Sequence, residues 1–360
     1  MKMTINTSTL QSMVAKSMKG ASCNKMIPLT GLMAVELQDS TLTLITTDAT
    51  NYLYVREFKV EGDDFYVVIQ ADVFSKLISK LTCEKVTLEL KDNILIVKGN
   101  GKYSIELPLD EEGELIKYPN PLANCNIKSE PASVHLSTVK LILNTAKSAL
   151  ANTLEVPCYT GYYVGNKIVA TDTYKICGIN IKMWDDPALI SPEMMSLLDI
   201  FTDENIAVCR KNNAMLFESA GCTVYGTLMD SIDDYQIDAI DSLLEQDFDS
   251  SCKINKSALL QLLDRLALFV SPYDKNGIYL TFTRAGLQIE SKQANSVELI
   301  SYAESNKFRD FTCCVDIEMF HSQVKANTGD AITIHYGEEN AIKITDGNVV
   351  QVVALLEDDR

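Results

Sequence analysis

Residues 41–48 read TLTLITTD, and residues 167–172 read KIVATD. Both are short strand-like runs that close on the same pair, Thr47-Asp48 in one and Thr171-Asp172 in the other. An Asp that follows a strand is a turn residue, because its carboxylate accepts from backbone N–H groups a few positions on. A third run, Leu287-x-Ile289, answers Leu42-x-Leu44 and Ile168-x-Ala170. The landmarks are spaced by about 120 residues, and self-similarity at a fixed period constrains a whole architecture.

Outward from each landmark the same order of elements is read: a short strand, a helix, three strands, a short strand, a second helix, three strands. In the first unit a helix over 8–19 carries Leu10, Met13, Val14 and Met18 on one face, and strands follow at 29–37, 41–47 and 52–60. Asp72 caps a second helix whose apolar face is Phe74, Leu77, Ile78 and Leu81, ahead of strands at 86–90, 94–98 and 102–107. The second unit has a helix over 137–151 and strands near 158–164, 167–171 and 174–183. Ser191-Pro192-Glu193 then opens a helix to about Thr202, with strands near 205–210, 214–219 and 222–229. The third has a helix over 255–270 with Leu259, Leu262, Leu263 and Leu266 on one face, and strands near 277–283, 286–291 and 296–303. A helix from Asp316 to about Lys325 and strands at 331–336, 341–345 and 349–356 complete it. Linkers rich in Pro, Glu and Asn (110–131) and in Asp and Ser (230–250) separate the units. The expected fold class is α+β, with three repeated domains at 1–122, 123–246 and 247–360, each packing two helices on antiparallel sheets.

Composition narrows the function. The 360 residues carry a net charge of −17, are 46% hydrophobic and 22% charged, and have no apolar run of the roughly 20 residues that a membrane span needs. The start, MKMTINTST, has no apolar signal-peptide core, so a cytoplasmic location is expected. Ten cysteines, at 23, 83, 125, 158, 177, 209, 222, 252, 313 and 314, form no CxxC pair and sit mostly in apolar runs, which reads as buried reduced thiols with no metal site. Three histidines (135, 321, 335) show no HxxH spacing, and no P-loop, GxSxG or GxGxxG is present, so no catalytic constellation and no cofactor is expected.

A net charge of −17 argues against nucleic acid until its distribution is read. The three first helices carry Lys16, Lys19, Lys140, Lys147, Lys256 and Arg265, with Asp264 as their only acid. The second helices add Lys76, Lys80 and Lys325. Ser12, Lys16 and Lys19 fall opposite the apolar stripe, as do Lys140, Asn144 and Lys147. Helices packed inward on sheets show this face to whatever lies beyond. If six such domains close into a ring, the hole is mildly positive and the outside strongly negative. Such a hole attracts duplex DNA through phosphates and does not read bases.

The repeat count, the element order and several local strings resemble the β sliding clamp, the DNA polymerase III β subunit that acts as processivity factor of bacterial-type replicative polymerases. The resemblance spans essentially the whole chain. Val169-Ala170-Thr171-Asp172-Thr173-Tyr174-Lys175-Ile176 is similar to the family string VATDGHRL at the second domain's partner pocket. Pro28 before an apolar strand resembles the RPxLPIL entry to the first sheet, and Ile232-Asp233-Asp234-Tyr235 resembles FPDY ahead of the third domain. Val352-Val353-Ala354-Leu355-Leu356 falls where the family ends in an MPMRL-like strand. The resemblance implies a homodimer closed head to tail as a pseudo-sixfold ring, with Tyr103 and Ile105 outward on one edge and Phe269 and Val270 on the other. It implies a pocket for hydrophobic peptides of polymerase and clamp loader at Tyr159, Thr171, Tyr174, Lys175, Ile176, Ile240, Val352, Ala354 and Leu356. It places DNA contacts at Asn24 and Lys25 and at the helix cations above. The family's loop arginine is absent, Thr173-Tyr174-Lys175 replaces Gly-His-Arg, and Glu357-Asp358-Asp359-Arg360 extends the tail, as in a divergent or phage-encoded member. Two other readings stay open: an enzyme using Asp48 and Asp172, and an acidic interaction scaffold or DNA mimic that never encircles DNA.

Overall fold

The computed structural model describes residues 1–124, 132–152, 156–292, 296–338 and 340–357. Cys125, part of the first linker, and Asp358, Asp359 and Arg360 of the tail lie outside the described residues.

The expected order of elements recurs three times, with one extra short strand between the helices of the first and of the third repeat. The first repeat runs β1 (Lys2–Asn6), α1 (Thr7–Ser17), β2 (Leu32–Gln38), β3 (Thr41–Thr47), β4 (Asn51–Phe58), β5 (Glu61–Gly62), β6 (Phe65–Gln70), α2 (Ala71–Ser79), β7 (Lys85–Lys91), β8 (Ile94–Lys98) and β9 (Lys102–Glu106). The second runs β10 (Ala132–His135), α3 (Leu136–Thr145), β11 (Tyr162–Val164), β12 (Ile168–Thr171), β13 (Lys175–Ile179), β14 (Ala188–Ile190), α4 (Pro192–Leu197), β15 (Asn205–Lys211), β16 (Ala214–Ser219) and β17 (Cys222–Thr227). After α5 (Ile237–Glu245) the third runs β18 (Ser250–Asn255), α6 (Lys256–Leu266), β19 (Gly277–Thr283), β20 (Gly286–Ser291), β21 (Val297–Ile300), β22 (Glu304–Asn306), β23 (Phe311–Asp316), α7 (Ile317–Ala326), β24 (Ala331–Tyr336), β25 (Ala341–Asp346) and β26 (Val349–Ala354).

Local chemistry explains these boundaries. In α6 the residues Leu259, Leu262, Leu263 and Leu266 are all buried, the i, i+3, i+4, i+7 stripe of a helix lying on a core. Asn255 starts α6 by accepting from Ala258 N at 2.9 Å, and Asp316 starts α7 by accepting from Glu318 N and Met319 N at 2.8 and 3.0 Å. Between β2 and β3, Gln38 pairs with Thr41, and the two turn residues Asp39 and Ser40 both take positive φ. That backbone matches the twist of the strands it joins.

The chain forms two compact units, Met1–Leu136 with Glu193–Leu228, and Ser137–Pro192 with Met229–Arg360. The division passes through the second repeat because the sheets do not stop at repeat boundaries. In the first unit one sheet has the order β5-β1-β7-β8-β9 and the other β10-β15-β16-β17-β4-β3-β2-β6. In the second unit the orders are β14-β11-β12-β13-β26-β25-β24-β18-β22 and β21-β20-β19-β23. Two seams result. In the first unit the last strand of the second repeat, β17, pairs with β4. In the second unit the last strand of the third repeat, β26, pairs with β13.

The structure corrects several sequence boundaries. Pro28–Gly31 and Pro157–Thr160 are 3-10 turns where strands were expected, because proline fixes φ and cannot donate to a ladder. The first helices shorten and finish as 3-10 turns at Met18–Gly20, Ala146–Ala149 and Ala267–Phe269. The helix after Pro192 is α only to Leu197, and the strand expected at 296–303 is confined to Val297–Ile300. The largest correction is at 230–250, expected as an acidic linker, which holds α5 with Ile240 and Leu244 buried.

Cys158, Cys177, Cys222, Cys252, Cys313 and Cys314 are buried thiols, Cys83 and Cys209 are half-buried, and Cys23 is exposed. Burial pushes the Cys177 and Cys252 thiols up to about 12. At pH 8 only about one such group in ten thousand is the reactive thiolate. Ellman titration of the native protein at pH 8 is expected to modify Cys23 first, with Cys177 and Cys252 silent until denaturant is added. Fast modification of either buried thiol in buffer alone would contradict this packing.

Candidate functional site

The repeated Thr-Asp pairs build one turn twice. Thr47 Oγ1 donates to Asn51 O at 2.6 Å, and Asp48 Oδ1 accepts from Thr50 N and Asn51 N at 2.9 and 2.7 Å. Thr171 Oγ1 donates to Lys175 O at 2.8 Å, and Asp172 Oδ1 accepts from Tyr174 N and Lys175 N at 3.0 and 2.7 Å. Ala49 and Thr173, at the same place in each turn, both have positive φ. One oxygen of each carboxylate, Asp48 Oδ1 and Asp172 Oδ1, is thus engaged by the backbone N–H groups of its own turn. Among the described residues, no group of three or more His, Cys, Asp or Glu side chains is placed to hold a metal ion.

The second of these turns stands beside an apolar cluster. Buried Tyr159, Ile176, Ile240 and Val352, all expected at the pocket, meet there with Tyr235, which the pocket set lacked. Tyr235 is central. Its ring lies 5.1 Å from Tyr159, edge to face, and 5.2 Å from Tyr163, and its hydroxyl donates to Val169 O at 3.3 Å. Burial pushes the phenol of Tyr235 well above its usual range and raises those of Tyr159 and Tyr163.

Of the other expected pocket residues, Thr171 is buried in the turn, and Tyr174 stands 61% exposed at the rim. Ala354 N donates to Tyr174 O at 2.9 Å, stitching the turn to β26. Leu356 instead reaches β23, where its N–H donates to Cys314 O at 2.8 Å. The sequence also missed α5, which supplies Ile240 and Leu244 to the cluster. The spacing of Ile237, Ile240 and Leu244 was its signal. Lys343 Nζ holds the end of that helix, donating to Leu244 O at 3.2 Å and to Gln246 O, and burial lowers its pKa.

Behind the same seam is a polar layer. Lys175 Nζ lies 3.2 Å from Asp172 and donates to Ser148 O at 2.8 Å. Gln323 Nε2 donates to Ser148 Oγ at 3.1 Å, and Asn327 Nδ2 donates to Gln351 Oε1 at 2.8 Å. Next to Ser148 a cleft of about 560 Å³ is lined by Asn144, Lys147, Ser322, Lys325 and Thr328 among others.

The expected DNA-facing cations divide into two groups. Lys19 pairs with Asp199 at 3.8 Å, Lys76 with Asp72 at 2.7 Å, and Arg265 with Glu298 through bonds of 2.8 and 2.5 Å. Lys256 Nζ donates to Asn327 O at 2.7 Å. Lys16, Lys25, Lys80, Lys140, Lys147 and Lys325 make no ion pair among the described residues, and all but the half-buried Lys16 are exposed. Asn24 is also exposed, in the loop before Pro28.

Comparison with known proteins now bears on the whole chain. Residues 1–117 match the family described as DNA polymerase III beta subunit, N-terminal domain. The beta sliding clamp of Bacillus subtilis (strain 168) is 24% identical over 332 residues, covering 84% of this chain and 80% of that one. The chain is similar to DNA polymerase III β subunits, the sliding clamps. Solved structures agree on the fold. The Bacillus subtilis sliding clamp matches with a TM-score of 0.86 at 19% identity over 99% of each chain. The Streptococcus pyogenes beta subunit matches with 0.86 at 16% identity, over 99% of this chain and all of that one.

The residues expected at a subunit interface behave unequally. Tyr103, on the edge strand β9, is 38% exposed, but Ile105 is buried, which corrects its expected outward orientation. Phe269 is 48% exposed, while Val270 packs against the third repeat's core. Another edge strand, β21, carries two exposed apolar residues that the sequence reading did not single out, Val297 and Leu299.

Proposed function

We propose that this chain is a non-enzymatic DNA sliding clamp. Two copies pair head to tail into a pseudo-sixfold ring around duplex DNA, and the ring tethers a polymerase and a clamp loader through hydrophobic peptides docked at the Tyr159–Tyr235–Ile176–Val352 cluster. The domains are 1–122, 123–246 and 247–360, and the setting is the cytoplasm. No described helix is long and apolar enough to cross a membrane.

The observation that carries the reading is the pair of seams. Both join the last strand of one repeat to the third strand after the first helix of the preceding repeat, in one register, with Gly226 opposite Asn51 and Val353 opposite Lys175. The rule leaves one last strand, β9, and one third strand, β21, each at a sheet edge. An unpaired edge is a template for another chain, and a head-to-tail contact that closes makes a ring. Lys140, Lys147, Lys325, Lys80 and Lys25, exposed and without an ion pair among the described residues, then supply positive charge in a chain that is otherwise strongly acidic. Their attraction to phosphates is independent of sequence, as sliding requires.

Topology supplies the test. After incubation with nicked circular plasmid, the protein is expected to co-elute with DNA through gel filtration at about 0.15 M salt, and cutting the plasmid once should release it. Equal retention on circular and linear DNA would mean binding without encirclement. No retention on either would favour an acidic scaffold.

A further inference from the structure

In two of the repeats, one hydrogen bond ties the chain that leaves the last strand to the strand ahead of the second helix. Val68, Leu189 and Cys314 are equivalent positions, three residues before α2, α4 and α7, and pair across their sheets with Ala34, Tyr163 and Tyr279. Pro108, Met229 and Leu356 are equivalent too, two residues after β9, β17 and β26. In the second repeat Met229 N donates to Leu189 O at 3.1 Å, and in the third Leu356 N donates to Cys314 O at 2.8 Å.

The first repeat cannot make this bond, because the donor position is Pro108 and proline has no N–H. Its connector reaches β6 through Tyr118 N, which donates to the Tyr66 hydroxyl at 3.0 Å. Between β6 and the connector a pocket of about 160 Å³ remains. Val67 and Val68, both buried, line it with Pro108 and Ile116, and Tyr66 and Leu115, 40% and 42% exposed, bring it to the surface. An apolar cavity of about 150 Å³ holds a molecule of the size of benzene. This pocket therefore has room for one leucine or phenylalanine side chain.

The surface beside it carries mostly one sign of charge. Residues 108–118 read PLDEEGELIKY, four carboxylates against Lys117, which also lines the pocket. The acids are held on a tight turn. Asp110 N donates to Glu114 O at 2.8 Å, Asp110 Oδ1 accepts from Glu112 N and Glu114 N at 3.0 and 2.8 Å, and Leu109 bridges to Leu115 at the base. Asp110, Glu111, Glu112 and Glu114 are all exposed.

We propose that this pocket docks a basic segment of a partner protein: one leucine or phenylalanine fills the gap that Pro108 leaves, and flanking lysines or arginines lie along the acidic turn. The apolar cavity supplies the anchor point, and the carboxylates select the charge of the segment that carries the anchor. The site lies wholly in the first unit, apart from the Tyr159–Tyr235 cluster, and does not depend on the clamp reading.

The test uses two fluorescein-labelled peptides, Lys-Arg-Leu-Lys-Arg and Lys-Arg-Ser-Lys-Arg, with the full-length protein, read by fluorescence anisotropy at about 0.15 M salt, where weak surface attraction is screened. Wild-type protein is expected to bind the leucine peptide at least about tenfold more tightly than the serine peptide. Pro108→Leu restores the N–H and the side chain that the third repeat has at this place, so it closes the gap and should abolish the preference for leucine. Leu115→Lys, at an exposed position that leaves the fold intact, should do the same, and it decides the matter if Pro108→Leu does not fold. Glu111→Gln with Glu112→Gln should weaken both peptides and keep the preference. Equal affinity of the wild type for the two peptides, or binding of neither, overturns the proposal. A leucine preference that survives in either folded pocket variant also overturns it, because the anchor then sits elsewhere.

Discussion

Replacing Val297 and Leu299 together by aspartate is expected to turn a species of about 80 kDa, twice the chain mass of 39.9 kDa, into one of about 40 kDa at micromolar concentration. The seams give the register. Val224 lies three residues before the end of β17 and pairs with Leu53, and Gln351 lies three before the end of β26 and pairs with Cys177. The residue three before the end of β9 is Tyr103. Leu53 pairs with Thr46 across its own hairpin, Cys177 with Ala170, and Val297 with Glu290, so these three third-strand positions correspond. A third seam between copies in the same register would set Tyr103 against Val297 and Lys102 against Glu298. Val297 and Leu299 are 57% and 55% exposed in the single chain, so the substitutions leave its own core intact. Each apolar side chain covered on association contributes about 1.5 kcal/mol or more. Losing two, and placing two carboxylates beside Glu298, costs at least about 4 kcal/mol, a thousandfold or more in Kd. Lys102→Ala alone removes one cross-strand charge pair and is expected to weaken the dimer less than tenfold. Light scattering over a dilution series reads both. A wild type that is monomeric at micromolar concentration would remove self-closure, and a double variant still near 80 kDa would move the interface elsewhere.

What could be read from the sequence is what local chemistry decides. The Thr-Asp turns were legible because the side chain bonds to its own turn, within four residues. The stripe Leu259, Leu262, Leu263, Leu266 needed only the helical period. The ion pair of Lys76 with Asp72 follows from i, i+4 spacing, but that of Arg265 with Glu298 joins residues 33 apart and does not. Helix α5 was hidden by its own outer face. Asp238, Asp241 and Glu245 make the segment look like an acidic linker, although Ile237, Ile240 and Leu244 keep helical spacing. Alternation places Tyr103 and Ile105 on one face of β9, but which of them a neighbour covers is a tertiary fact. The seam register is also beyond sequence, because it depends on strands that lie more than 150 residues apart. The apolar cluster was half legible for the same reason: Ile176 and Val352 came from strings, whereas Tyr235 takes its place there through Tyr159, Tyr163 and the carbonyl of Val169.

That dependence makes Tyr235→Ala the substitution with the largest expected effect on stability. The ring is buried, two other tyrosines pack on it, and α5 closes over the same cluster. Truncating a buried aromatic residue costs about 3–5 kcal/mol, from lost transfer energy and from the cavity left behind. For a unit of this size each kcal/mol lowers Tm by about 2–4 °C, so a fall of roughly 6–20 °C is expected. Tyr235→Phe keeps the packing and loses one hydrogen bond, at a cost of about 1 kcal/mol. The chain has a single tryptophan, Trp184, and it lies in the same unit as Tyr235. Its fluorescence therefore follows that unit, while far-ultraviolet circular dichroism follows both. In Tyr235→Ala the fluorescence transition should move down first and separate from the later part of the dichroism curve, which the first unit supplies. The Tyr235→Phe protein should melt within a few degrees of wild type and keep its peptide binding, because the apolar surface is unchanged. If Tyr235→Ala melts within 2 °C of wild type, Tyr235 is not the support of the pocket. If both transitions shift together by the full amount, the two units unfold as one.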